Sequence, residues 1–264
     1  MKKSICLAIL IFVTLNVSGQ NEDELPNLEP QTVLTRLFDS KNFDKETQEV
    51  LWSPNTFEKV NNSSIVSVSD GFCHTKIDTI LYVSTAVKDY KSNQAVVIFR
   101  TGDIAVCHAC TGVHGVATFE KYGKDKVWRL RTFEKMLIET GGYGVGGDFE
   151  MKNFGKDESG SDTNCLLYHQ PDYGNFGVST GYNYLFFLND YKQVLRYKYY
   201  DTNEGSGVEN LFTDRTEMTI VKTAGISKIE LVTKRSKKDI IKSTTKRLFE
   251  YSDELGVFVP VCAK

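Results

Sequence analysis

From about residue 64 onward the chain alternates its side-chain character with a period close to two, and turn residues interrupt that pattern at short intervals. Ile65, Val66 and Val68 run into Asp70-Gly71, and Lys76 to Val87 returns as a second strand. Ala95 to Arg100 is a compact apolar run, and Gly102-Asp103 then turns the chain into Ile104 to Val106. His114 to Tyr122 and Lys126 to Thr132 flank Gly123-Lys124-Asp125, a hairpin signal. Leu166 to His169, Tyr182 to Leu188 and Gln193 to Tyr200 read as three further strands. Two late hairpins follow, Thr216 to Lys222 with Ser227 to Lys234 and Lys246 to Tyr251 with Val257 to Val261. Phe133 to Thr140 fits either a strand or a short helix. A list of about a dozen strands without an alternating helix-strand pattern predicts a mainly β fold: an antiparallel sandwich, barrel or propeller-like meander.

The segment ahead of the strands has a different period. Gln31 to Phe38 and Asp44 to Trp52 are each expected as a short N-terminal helix, capped by Thr32 or Asp44, with Leu34, Leu37 and Phe38 on one face. Gln20 to Pro30 is acidic and polar, contains two prolines, and reads as a flexible lead-in. Before it, Lys2 and Lys3 precede the apolar run Ile5 to Val17, and Val17-Ser18-Gly19 supplies the small residues of a cleavage site. Residues 1–19 are therefore expected to be a signal peptide and residues 31–264 a single β-rich domain. The apolar run falls short of the ~20 residues of a spanning helix, so a periplasmic or extracellular protein without a membrane span is expected after cleavage. Removing Lys2 and Lys3 leaves 30 basic against 34 acidic residues, a formal charge of −4 in place of −2. That balance argues against a general electrostatic grip on nucleic acid.

An export signal gives the cysteines their meaning. Five of them follow residue 19, too few for a disulfide scaffold and odd in number. Cys107-His108-Ala109-Cys110 is the most distinctive string. In an oxidising compartment it predicts a structural disulfide, within the pair or from one member to Cys73 or Cys165. Thiol-disulfide exchange is the first rival, but it needs Cys107 at a helix start, and Thr111-Gly112-Val113 leads into a strand pattern. A small zinc site is the second. Cys107, Cys110 and either His108 or His114 could supply three ligands, with His74 or Cys73 as a fourth, although the second half of a structural zinc motif is missing. Thr111 in place of histidine excludes c-type haem attachment.

The remaining motifs are weaker. Asp201 to Gly207 begins like a calcium loop, with Asp201 and Asn203 at its first and third positions, but Phe212 stands where a bidentate glutamate belongs. The glycines from Gly141 to Gly147 are not followed by a phosphate-binding lysine or helix and read as tight turns or close approaches. Tyr182, Tyr184 and Phe186 with Tyr197 and Tyr199 form an aromatic stripe that suits a packed sheet face or a binding platform. Lys234 to Lys238 is the solvated end of a hairpin. No nucleophile elbow or metalloprotease helix is present. The reading that follows is an exported, soluble, non-catalytic binding or structural module of the cell envelope, without a cofactor, facing an unknown protein or small-molecule ligand.

Overall fold

A computed structural model describes residues 24–53, 73–87, 90–102, 112–122, 126–140, 146–156, 162–171, 178–203, 211–222 and 226–261. The first sheet contains β1 (Glu24–Leu25), β2 (Phe43–Asp44), β3 (Glu49–Trp52), β4 (Cys73–Val87), β5 (Tyr90–Thr101), β6 (Val113–Tyr122) and β7 (Trp128–Glu139), with helix α1 (Pro30–Leu37) beside it. The second contains β8 (Asp148–Lys156), β9 (Asp162–Gln170), β10 (Val178–Phe187), β11 (Gln193–Asn203), β12 (Phe212–Val221), β13 (Lys228–Lys237), β14 (Ile240–Ser252) and β15 (Val257–Pro260). The spatial orders are β1-β7-β6-β5-β4-β3-β2 and β15-β14-β13-β12-β11-β10-β9-β8, and each neighbouring pair is antiparallel. The mainly β, antiparallel expectation is met by two meanders.

Two continuous apolar runs explain how the sheets stack. A strand buried on one face alternates; a strand buried on both faces does not. Ala95 to Phe99 is fully buried throughout: Ala95, Val97 and Phe99 pack with α1, whereas Val96 and Ile98 face β9. Cys165 to Tyr168 behaves likewise, with Leu166 and Tyr168 toward the first sheet and Cys165 and Leu167 on the opposite face. The sheets therefore meet back to back through β5, β6, β9 and β10, and each has a further apolar layer on its other side. Outside the first sheet, Val33, Leu34 and Leu37 of α1 cover the core with Phe38, whose ring meets Trp52 at 5.0 Å and Phe99 at 5.2 Å. At eight residues α1 is too short to be stable alone, so this packing holds it. Outside the second sheet, Phe154 on one edge strand and Phe258 on the other have ring centroids 5.5 Å apart, so that sheet curls into a half-barrel. A polar tie adds to the stacking: the Tyr191 hydroxyl lies 2.8 Å from the Thr118 hydroxyl and donates to the Thr132 carbonyl at 3.3 Å.

The structure corrects several local expectations. Asp44 to Trp52 is not a helix but a tight hairpin, β2 and β3. The Asp44 carboxylate does cap, accepting from the Glu46 and Thr47 amides, but it caps a turn that Gln48 completes at φ 58°. Val50 and Trp52 are buried at alternate positions and pair with Thr75 and Cys73, so sheet pairing overrides the short helical pattern. Helix α1 starts at Pro30 rather than after a Thr32 cap, with proline in its first turn. Phe133 to Glu139 continues β7 as strand, and Asp148 to Lys156 forms a strand beyond those expected, β8. Within the expected lead-in, Glu24 and Leu25 pair with Arg129 and Trp128, and Leu25 and Leu28 are buried. The expected strands at Ile65 to Val68 and Ile104 to Val106, and the Gly123 to Asp125 turn, lie outside the described residues. Among the described residues no helix is long and apolar enough to cross a membrane.

Candidate functional site

Across β4, β5 and β6 the register places Lys76, Arg100 and His114 in one row on the face that meets the second sheet. Opposite the step from His114 to Val116 the extra residues lie in β7, and a bulge between Ile77 and Thr79 inserts Asp78 as an extra residue in β4. Bulges re-aim side chains, and this one turns the Asp78 carboxylate onto its neighbours. Asp78 Oδ1 lies 3.4 Å from Arg100 Nη2, and Oδ2 lies 3.4 Å from His114 Nδ1. From the second sheet, Phe149 and Tyr168 stack at 4.5 Å and present their rings edge-on to His114 at 4.9 and 5.3 Å. Gly146 and Gly147 close the group. A Cβ on Gly146 would stand 3.1 Å from His114 Cε1 and Nε2, and one on Gly147 would overlap the His169 carbonyl. Only glycine permits that approach.

These residues border a cleft of about 440 Å³ lined by Asp78, Arg100, Gly146, Gly147 and Phe149. His114 sits one layer behind the wall at 1% exposure, and neither of its ring nitrogens has a hydrogen-bond partner. The 3.4 Å approach of Asp78 is too poorly aligned to satisfy Nδ1. Burial first, and the nearby Arg100 guanidinium second, push the His114 pKa down to about 3, so the imidazole is neutral at ordinary pH. Burial raises the Asp78 carboxyl, with Arg100 and Lys76 pulling it back. Burial also raises the Tyr168 phenol, whose oxygen accepts from the Gly147 amide at 3.4 Å. Chemically, the cleft wall offers a guanidinium donor beside a carboxylate acceptor. A general base must come within hydrogen-bond reach of its substrate, directly or through one water, and His114 at this depth is withdrawn from the cleft.

The structure disperses the other expected site residues. Cys107, Cys110 and His108 lie outside the described residues. Cys73 is buried where β4 begins, and Cys165 is a free thiol buried in β9, its pKa raised by that burial. His74, next to Cys73 in β4 and opposite Leu51 of β3, lies 3.4 Å from the Glu49 carboxylate. His169 points away from the cleft, onto the other face of β9. Its Nδ1 lies 2.7 Å from Asn183 Oδ1, and Asn183 Nδ2 donates to the Tyr197 hydroxyl at 2.7 Å. Asp201 and Asn203 stand in strand β11. The Asp201 carboxylate accepts from Thr180 and from Lys198, both at 2.9 Å, and Asn203 pairs with Phe212. Among the described residues no group of three or more histidine, cysteine or carboxylate side chains is placed to hold a metal ion. The aromatic stripe divides between faces: Phe186 packs between the sheets with Tyr184, whereas Tyr197 and Tyr199 belong to the half-barrel core. The Arg196 guanidinium covers Tyr182 at 4.1 Å.

Sequence reasoning singled out His114 but missed Asp78 and Arg100. The available signal was an aspartate inside an otherwise β-branched run. Comparison of the chain with models of protein families, with characterised proteins and with solved structures found no match.

Proposed function

We propose that this chain is an exported, non-catalytic binding module of the cell envelope and that the cleft between its sheets holds the ligand. One observation carries the reading: Asp78 and Arg100 face the cleft side by side, backed by a buried imidazole with no partner for either nitrogen. An unsatisfied buried polar group costs about 1–3 kcal/mol, and hydrocarbon would seal two stacked sheets at lower cost. Keeping charge and imidazole there is reasonable for a recognition site. A guanidinium next to a carboxylate complements a small molecule that carries an acceptor and a donor close together, an amide or a zwitterion.

The test is thermal unfolding of the purified protein against free amino acids and dipeptides. A ligand of the folded state raises the melting temperature, and the rise grows with the logarithm of its concentration above Kd. We expect a rise for at least one probe that is lost in both Arg100→Gln and Asp78→Asn. Insulin reduction dependent on Cys107 and Cys110 would replace the binding reading with thiol-disulfide exchange. One zinc per chain, lost in Cys110→Ser, would replace it with a metal site.

A further inference from the structure

We infer that the β13–β14 hairpin docks the protein onto an anionic phospholipid surface, independently of what the cleft binds. From Lys234 to Arg247 the hairpin carries seven basic residues and a single acid, Asp239, in a chain whose formal charge is −2. Near its base three of these charges are neutralised within the sheet. Arg235 pairs with Asp214 through two hydrogen bonds of 2.8 and 2.6 Å, Lys234 reaches Glu217 at 3.4 Å, and Lys246 reaches Glu230 at 3.4 Å. At the tip, Lys237, Lys238 and Lys242 have no ion pair among the described residues. Between them Ile240 and Ile241 stand 61% and 58% exposed.

A tight two-residue turn forms this tip. Lys238 and Asp239 occupy the left-handed region at φ 50° and 61°, the two-residue turn that asparagine and glycine fill with least strain. Here the turn carries a lysine instead. From Ile240 to Arg247 every residue of β14 is exposed, because β15 pairs only with Phe249 to Ser252. Beside the tip lies a groove of about 370 Å³ lined by Leu211, Phe212, Arg235, Ser236, Lys237 and Lys242.

Exposed aliphatic side chains flanked by unpaired lysines match one surface better than any other. The isoleucines enter the headgroup–acyl boundary while the lysines meet phosphate oxygens. A soluble polyanion such as nucleic acid would engage the lysines and leave the isoleucines in water. Charge complementarity and the isoleucine pair together commit the tip to a membrane.

Flotation of the purified protein with vesicles of phosphatidylcholine, with and without roughly one-quarter phosphatidylglycerol, tests this. We expect binding only when the anionic lipid is present, weakened by salt. Lys237→Ala with Lys242→Ala should lower the partition coefficient about thirtyfold, the effect of two lysines at an anionic surface. Ile240→Asn with Ile241→Asn should lower it about tenfold with the salt dependence retained. Both variants alter exposed residues and should melt like the wild type, which separates lost docking from lost folding. Equal binding to neutral vesicles, unchanged binding of both variants, or capture by heparin without capture by vesicles would each overturn the assignment.

Discussion

His114 and His169 lie on the two sheets that pack together, yet their surroundings are opposite. His169 belongs to a row that the register builds across β9, β10 and β11: His169 opposite Asn183, and Asn183 opposite Tyr197. Because the Asn183 amide donates to Tyr197, its oxygen is left to accept, and His169 Nδ1 must carry the proton. His114 also has cross-strand neighbours, Arg100 and Ile138, but neither supplies it with a hydrogen bond, and two aromatic rings of the facing sheet seal it in. The difference teaches that a polar residue in a sheet is satisfied by its own row, or else is left to whatever the next layer brings. At His114 the next layer brings Phe149, Tyr168 and a cleft.

Removing that layer should have the largest effect. Tyr168 is fully buried against Phe149 and His114, so Tyr168→Ala should cost about 3–5 kcal/mol in denaturant unfolding. A loss under about 1 kcal/mol would mean that the sheets are not held through this contact. Next, Asn183→Leu interrupts the satisfied row and should cost about 1–3 kcal/mol, because the buried ends of His169 and Tyr197 lose their partner.

His114→Leu should do the reverse of Asn183→Leu. At neutral pH it should be neutral or stabilising, since it deletes two unsatisfied nitrogens. Its effect should grow in acid. With a folded pKa of about 3 against an ordinary 6.5, His114 takes a proton only in the unfolded state between those values, so wild-type stability is complete above pH 6.5 and falls below it. The slope from this group is about 1.4 kcal/mol per pH unit, so the variant should gain about 2 kcal/mol on the wild type by about pH 5. Asp78 acts with the opposite sign, since its raised pKa lets the folded state take up a proton first. Parallel pH profiles for wild type and His114→Leu would break the contrast between the two histidines. The smallest effect belongs to the inter-sheet tie: Tyr191→Phe removes a hydroxyl shared by Thr118 and Thr132 and should cost about 1 kcal/mol.

Much of the architecture was legible in the residues. The antiparallel class, the hairpin joining β6 to β7 and the late hairpins follow from period-two patterning and turn chemistry. Helix α1 was legible from Leu34, Leu37 and Phe38, whereas β2 and β3 were not. Asp44 signals a cap, and only pairing with β4 decides whether it caps a helix or a turn. Strand β8 was missed because Asp148, Glu150, Lys152 and Asn153 dilute its apolar pattern, which reduces to Phe149 and Met151 on one face and Phe154 on the other. At the candidate site His114 was visible as a rare residue type. Asp78 and Arg100 were not, since a bulge cannot be read from one strand without its partner.

By itself the sequence determined that this chain makes short antiparallel strands, because alternating side chains commit each segment to a pleat and glycine or aspartate lets it turn back. It also marked Ala95 to Arg100 as a compact apolar run and Leu166 to His169 as a strand, and packing on both sides leaves the apolar residues of both without a solvent face. Which layers cover them, and therefore that Asp78, Arg100 and Phe149 line one cleft with His114 and Tyr168 behind its wall, was decided only in the tertiary structure. Stacking one sheet on another is a contact between residues far apart in the chain, and no local period encodes it.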